Sequence, residues 1–534
     1  MTSISSSPVH RSPLPAPPVE PSVAVAALRH AAADPAALAI VDGATGETLT
    51  RGELAARSAA LAAGLRERGV RPGDLVAVAM PNLAWWPVVA LGVWRAGAAI
   101  SPLSPLWTAD ESARVLARAV PRLAIAFAPF APQVRDALRT AGLDDVELAV
   151  VGGEAADATP IEALLALDAG DSYAEPVLAP GDLAAVPFSS GTSGLPKGVR
   201  LTHGNLAAAA AQAISGFRAG GTYDESSVVL AGAPFFHSIG LALMLCAPLT
   251  LGATIVTVPI PQLETILGLV AAHRATHLAV PPPVFDALAD DPRIDDHDLA
   301  SLRLVVTGGA HTPADVERDV SERLGCVARQ GYGMTEVTCT ISCPLLGPST
   351  PGTAGWLVPG TEARLVDPGT GADAERGEPG ELWVRGPQVM QGYHGLPEDT
   401  AATITPDGWL RTGDLVAIRD DGQLEIRDRL KELIKVKGAS VAPAEVELVL
   451  RQHPAVRDAC VVGVPDPERG EAPIAFVVLD RTAAPSELLS FVAERLAGYK
   501  RPREVIVVDD LPRLPTGKLL RRELRDRARS TARA

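Results

Sequence analysis

The chain has 534 residues, 47% hydrophobic and 21% charged, with a formal charge of −15; this is too long for one hydrophobic core, so several compact units are expected. The acidic balance argues against nucleic acid and anionic membrane as partners, since both select surfaces rich in Lys and Arg. Five cysteines, with no second Cys/His pair near Cys339 and Cys343, fit buried free thiols in a reducing cytoplasm better than a disulfide framework or a zinc site.

Residues 1–22, MTSISSSPVHRSPLPAPPVEPS, lack the apolar segment of a signal peptide and predict a disordered Ser/Pro-rich tail. From residue 23 to about 180, helical patterns such as ELAARSAALAAGLRERG alternate with short apolar runs such as LVAVAM and LAIAFA. That alternation predicts α/β layers with largely parallel sheets. Next, LAAVPF reads as a strand, SSGTSGLPKGV (189–199) as a loop and THGNLAAAAAQAI as an Ala-rich helix capped by Asn205. The long apolar stretch from Leu241 contains Pro248 and Gly252, so it reads as a buried helix followed by a strand and not as a membrane span. ATIVTV, THLAV and LRLVVTGG then predict strands, with helices at TILGLVAAHRA and DVERDVSERLG. Around 351–428 short strands separated by Gly/Pro turns predict a small antiparallel or barrel-like subdomain. DRLKELIKVKG opens a last segment whose strands ACVVGV and IAFVVLD and flanking helices predict a separate domain.

Several short motifs carry possible chemistry. SSGTSGLPKGV fails the Walker A pattern, because Pro196 stands where the second glycine belongs and Gly198 follows Lys197; it also fails G-x-G-x-x-G. Its glycines, hydroxyls and single lysine are nevertheless the parts of an anion nest, and spacing alone leaves linker and phosphate cradle both open. GYGMTE (331–336) sets Glu336 beside Thr335 in a turn suited to Mg²⁺ near phosphates, or to ordinary helix capping. GWLRTGDL puts Asp414 after a tight turn, where it could accept both hydroxyls of a ribose or simply face solvent. His237, among apolar residues, fits a core role as well as a catalytic one. His273 and His277 have metalloprotease spacing, but Arg274 replaces the glutamate that HExxH needs. Lys518 in LPTGKLL reads by default as a solvated lysine.

In order, SSGTSGLPKGV, FFHS, GYGMTE, WLRTGDL, DRLKELIKVKG and PTGK resemble the successive core motifs of the adenylate-forming superfamily of acyl-CoA synthetases, luciferases and adenylation domains. The resemblance spans about residues 25 to 525 and is greatest to the 4-coumarate–CoA ligase and luciferase branch. It implies an α/β fold: a large N-terminal domain (23–428) of stacked α/β subdomains plus the barrel-like subdomain, and a mobile smaller α+β lid (429–534) hinged near Arg429–Lys431, with Lys431 as the hinge residue. It implies ATP, Mg²⁺ and CoA as cofactor and substrates, a small carboxylic acid as the group activated, and a cytoplasmic monomer or homodimer. Ser189, Ser190, Gly191, Thr192, Ser193, Gly194 and Lys197 would hold the β- and γ-phosphates, Thr335 the α-phosphate and Glu336 the Mg²⁺. Tyr332 and the Gly309–Ala310 backbone would enclose adenine, with Gln330, Gly331 and Gly333 in the same nucleotide site; Asp414 would hold the ribose, with Arg429 nearby. Lys518 would serve the first half-reaction and Lys435 the second, with Lys437 and Gly438 along the pantetheine path. His237 would gate an acyl pocket shared by Ser238, Ile239, Leu243, Gly309 and Gly331.

The departures lie on the acid and acceptor side. Ile239 stands where coumarate ligases usually have tyrosine, Ser440 where they commonly have glutamine, and Ile260 where they often have a lysine near the CoA phosphates; Ala310-His311-Thr312 replaces a run ending in proline. An acid–CoA ligase for an aromatic or medium-sized apolar acid is therefore the leading expectation. Other acceptors stay open: an amine, a carrier protein, or nitrite activated to diazotise an aryl amine. A regulatory protein that has lost activity is disfavoured, because it has no need to keep Glu336, Asp414, Lys435 and Lys518.

Overall fold

The run LVAVA forms the strand Leu75–Ala79, buried at every position. This is the pattern of a parallel strand covered on both faces. The computed structural model describes residues 9–166, 175–189, 196–347, 349–375, 377–436, 439–466, 469–513 and 519–531. Parallel strands Leu75–Ala79, Ala99–Pro102, Leu123–Phe127 and Glu147–Val151 form the body of a nine-stranded sheet. A second, seven-stranded sheet carries Val228–Ala231, Thr254–Thr257, His277–Ala279, Leu304–Gly308 and Val327–Gly331 in parallel.

Facing sides of the two sheets share one core, which also takes in helices Arg51–Glu67, Trp85–Arg95 and His203–Ala219. Their outer faces are covered separately, by helices Ala109–Ala119 and Ala131–Thr140 on one side and Leu263–His273, Pro282–Asp290 and Ala314–Leu324 on the other. Fully buried Trp86 and Trp94 anchor the shared layer, and their indole N–H groups donate to Met80 O at 3.1 Å and Ala184 O at 2.8 Å. A five-stranded antiparallel sheet follows, built mainly from Glu362–Val366, Gly380–Arg385, Leu410–Ile418 and Leu424–Arg429.

Beyond Arg429 the chain joins a different sheet. Ile434–Val436 pairs with the hairpin Val456–Asp466/Gly470–Leu479, and Glu504–Val507 lies parallel to the latter strand. This sheet has hydrophobic clusters of its own on both faces, as a separate domain requires. Arg521, from the last helix, ties that domain to the segment after Arg429: its Nε lies 2.9 Å from Glu432 and its Nη2 3.0 Å from Glu447.

Two local expectations are corrected. From residue 9 the Ser/Pro-rich segment is ordered: His10–Arg11 adds to the antiparallel sheet opposite Glu362–Ala363, and Arg11 meets Glu362 at 2.6 Å. A segment with too little apolar surface for its own core gains backbone partners from an open sheet edge. The helix His203–Ala219 is capped by Thr202; Asn205 sits three residues inside it and completes the capping box by bonding back to the Thr202 N–H. The apolar run after Leu241 is a buried helix followed by a strand, as expected, and the helix starts as a π-helix, Gly240–Cys246, before Ala247–Leu251 and the strand Thr254–Thr257. All five cysteines are free. Among the described residues no helix is long and apolar enough to cross a membrane.

His203 is fully buried beside Trp94, and neither ring nitrogen has a hydrogen-bond partner among the described residues. Burial lowers its pKa from 6.5 to about 4. Above pH 6.5 the ring is neutral folded or unfolded; as pH falls toward 4 only the unfolded chain takes up the proton, and stability is lost. His203→Leu should therefore lose less stability than the wild type between pH 7.5 and 5, by about 2 kcal/mol from one proton. Urea midpoints at the two pH values measure the difference.

Candidate active site

Strands Leu304–Gly308 and Val327–Gly331 end side by side, with Gly308 opposite Gly331. Open α/β sheets place ligands at such carboxyl ends. Glycine suits the crowding, since a Cβ on Gly308 would lie 3.1 Å from Gly331 O, and Gly309 has φ +88°. Gln330 is 6% exposed and committed to the neighbouring loop: its Oε1 accepts from Thr312 N at 3.1 Å and its Nε2 donates to Thr312 O at 2.9 Å. Its side chain braces the 309–312 loop and does not face outward to a ligand. Fully buried Glu317, absent from the sequence reading, extends this brace by accepting from Gln330 N at 3.0 Å and Gly352 N at 3.1 Å. Burial pushes its pKa up to about 6.

Tyr332 follows, and its hydroxyl donates to Asp414 Oδ2 at 2.5 Å. Arg429 Nε lies 3.3 Å from Asp414 Oδ1. These residues meet because Asp414 and Arg429 are paired across the strands Leu410–Ile418 and Leu424–Arg429. Asp414 thus lies within a strand, 3% exposed, and not after a surface turn. Burial, then the Asp414 charge, holds the Tyr332 phenol well above its usual pKa, which keeps it a donor. Burial alone would lower Arg429, but the charges of Asp414, Glu432, Tyr332 and Glu336 outweigh it and keep the guanidinium charged.

A second cluster forms around Glu336, 7% exposed in the 3₁₀ turn Thr335–Val337. Its Oε1 accepts from the Tyr393 hydroxyl at 2.9 Å. Lys197 is paired with Asp399, and its Nζ lies 5.1 Å from the Tyr393 ring centre. Sequence reading missed Tyr393 and Asp399, since their place depends on Gly392–Tyr393 pairing with Val199–Arg200. Thr335 is half-buried and its carbonyl accepts from Thr338 N. Gly333 is required where it stands, because a Cβ there would lie 1.6 Å from Cys339 O. Among the described residues no group of three or more His, Cys, Asp or Glu is placed to hold a metal ion. A lone carboxylate suits Mg²⁺, which takes one or two carboxylates and completes its shell with phosphates and water.

The loop of 189–199 is corrected in one respect. It joins two antiparallel strands, with Ser189 opposite Lys197, and the helix begins only at His203. Ser190, Gly191, Thr192, Ser193 and Gly194 lie outside the described residues, as do Lys437, Gly438 and Lys518.

The His237 ring lies tilted against Phe236, with ring centres 4.7 Å apart, and burial lowers its pKa to about 4, so the ring is neutral near pH 7. Ser238 and Ile239 are half-buried, and Leu243 is buried in the π-helix that starts at Gly240; such helices recur at functional sites. A Cβ on Gly240 would lie 1.9 Å from Pro234 O. Gly240→Ala should therefore cost about 2–3 kcal/mol of stability by overpacking, read as a lower denaturant midpoint.

In the smaller C-terminal domain, Lys435 is exposed on the strand Ile434–Val436, its N–H bonded to Glu471 at 2.7 Å, and Lys431 is exposed shortly before that strand. Buried Asp428, at the end of the antiparallel sheet, reaches the C-terminal helix Pro443–Arg451: its Oδ2 accepts from Ala444 N, in the first turn, at 3.1 Å. Ile260 is 60% exposed.

A family model described as AMP-binding enzyme matches residues 28–394, and one described as AMP-binding enzyme C-terminal domain matches 445–518. 4-Coumarate–CoA ligase 5 of Oryza sativa subsp. japonica is 38% identical over 494 residues, covering 91% of this chain and 90% of that protein. The crystal structure of ATP-bound MatB from Rhodopseudomonas palustris superposes with a TM-score of 0.87 at 31% identity, over 96% of this chain and 99% of that one. The amide bond synthetase McbA from Marinactinospora thermotolerans does so with a TM-score of 0.84 at 30% identity, over 95% and 99%.

Proposed function

The chain belongs to the AMP-binding enzyme family and is an ATP-dependent, AMP-forming ligase of the acyl-CoA ligase type; from that premise we propose that it activates an aromatic or medium-sized apolar carboxylic acid and transfers it to CoA. The observation that carries this reading is the meeting of Tyr332, Asp414 and Arg429 beside paired Gly308 and Gly331. A buried carboxylate with a fixed donor and cation at the strand ends suits a ribose below an adenine held by backbone.

In the first half-reaction a carboxylate oxygen of the acid bonds to the α-phosphorus, and the bond from that phosphorus to the bridging oxygen breaks, releasing pyrophosphate. Charge builds on the phosphates, so prepositioned donors and cations contribute most. Lys197 and the 189–194 loop would take the β- and γ-phosphates, Thr335 the α-phosphate, and Lys518 the bond-forming oxygens. Mg²⁺ held through Glu336 would neutralise phosphate charge. In the second half-reaction the CoA sulfur bonds to the acyl carbon and the carbon–oxygen bond to AMP breaks. Rotation of the lid about Lys431 would exchange Lys518 for Lys435 and bring Lys437 and Gly438 along the pantetheine. His237, neutral near pH 7, half-buried Ile239 and buried Leu243 would give the acyl side of the site an apolar character, which supports the acid class.

An amine acceptor is the second reading, favoured by exposed Ile260, where a coumarate ligase often has a lysine, and by the likeness to an amide bond synthetase. The test is incubation with ATP, Mg²⁺ and a panel of aromatic and aliphatic acids, with CoA, with amines, and with nitrite plus an aryl amine. AMP release that needs CoA, with a matching thioester by mass spectrometry, is the expected result. Amide or diazo products without thioester would replace the acceptor.

A further inference from the structure

Tyr393 belongs to none of the motifs that mark the site, yet it touches two residues that do. Its hydroxyl donates to Glu336 Oε1 at 2.9 Å, and the Lys197 ammonium lies 5.1 Å from its ring centre. The side chain is 9% exposed, and its backbone is fixed twice: opposite Val199, and by its N–H donating to Thr400 Oγ1 at 2.8 Å. Asp399, in the helix Pro397–Thr403, pairs with Lys197 while its own side chain is 40% exposed. An ion pair this open to water is weak and readily exchanged.

We propose that Tyr393 is a positioning residue for the cation–phosphate end of the site: its hydroxyl fixes the plane of the Glu336 carboxylate, while its ring and Asp399 hold Lys197 until nucleotide phosphates take the place of Asp399. The proposal rests on the reading of Glu336 as the Mg²⁺ ligand and Lys197 as the phosphate lysine. A group that orients a ligating carboxylate governs metal affinity without touching the metal, and its loss typically weakens binding about tenfold or more.

The experiment uses Mn²⁺ as probe, titrated by electron paramagnetic resonance into the full chain with α,β-methylene-ATP, for wild type, Tyr393→Phe, Glu336→Gln and Asp399→Asn. Tyr393→Phe keeps the ring, so it should raise the Mn²⁺ dissociation constant about tenfold while leaving metal-free binding of the analogue unchanged. Asp399→Asn should do the reverse, tightening metal-free binding because Lys197 loses its competing partner. A merely structural tyrosine would lower the unfolding midpoint without separating the two affinities. Wild-type Mn²⁺ affinity in Tyr393→Phe, alongside weakened Glu336→Gln, would overturn the proposal alone. Unchanged affinity in Glu336→Gln would overturn the reading beneath it.

Discussion

Lys518→Ala is expected to slow acyl-adenylate formation from free acid and ATP by about 10²- to 10³-fold, the usual loss when one preorganised stabiliser of transition-state charge is removed. Thioester formation from a supplied acyl-adenylate should continue at the wild-type rate, because that step builds no pentavalent phosphorus. Lys435→Ala should show the opposite division, consistent with its place on the exposed face of the lid strand Ile434–Val436. Pyrophosphate release and thioester appearance, each followed in single turnover, measure the two steps. Equal losses in both steps for Lys518→Ala would refute the alternation of two lysines about the hinge.

Asp414→Ala is expected to damage both half-reactions together, since the AMP moiety stays bound throughout. The substitution removes the acceptor for Tyr332 and the nearest of the charges that face half-buried Arg429. The ribose would also lose a charged acceptor for its hydroxyls, at about 1.5–3 kcal/mol per hydrogen bond to a charged group, so affinity for AMP should fall by about 10² or more. Asp414→Asn, which keeps shape and one acceptor oxygen, should fall between the two. Titration calorimetry with AMP reads this directly, and near-wild-type affinity in Asp414→Ala would remove the ribose from this position.

The parallel sheets were legible because their strands are almost wholly apolar, as in LVAVA and LVVTG, and because helical patterns fall between them. Motif order carried the family, although each motif alone supported a bland alternative. What stayed hidden depends on contacts between distant segments. Nothing local to GYHGLPEDT says that Tyr393 will face Glu336 or that Asp399 will hold Lys197; both follow from pairing with a strand nearly 200 residues earlier. Gln330 sits in a motif, but its amide is occupied by the Thr312 backbone, a fact visible only once two parallel strands are aligned. Likewise the terminal strand His10–Arg11 exists because an edge of the antiparallel sheet accepts it. His311, one of the departures from the coumarate-ligase pattern, lies within reach of the charges of Arg451 and Glu447, so its loop faces the lid helix Pro443–Arg451.

In the proposed reaction the carboxylate of the acid bonds directly to the α-phosphorus of ATP. Oxygen tracing tests it with the acid that supports AMP release, labelled with ¹⁸O in both carboxylate oxygens. One labelled oxygen should appear in AMP for each thioester formed, and none in pyrophosphate. Label appearing in inorganic phosphate alongside ADP, or AMP carrying no label, would contradict the account.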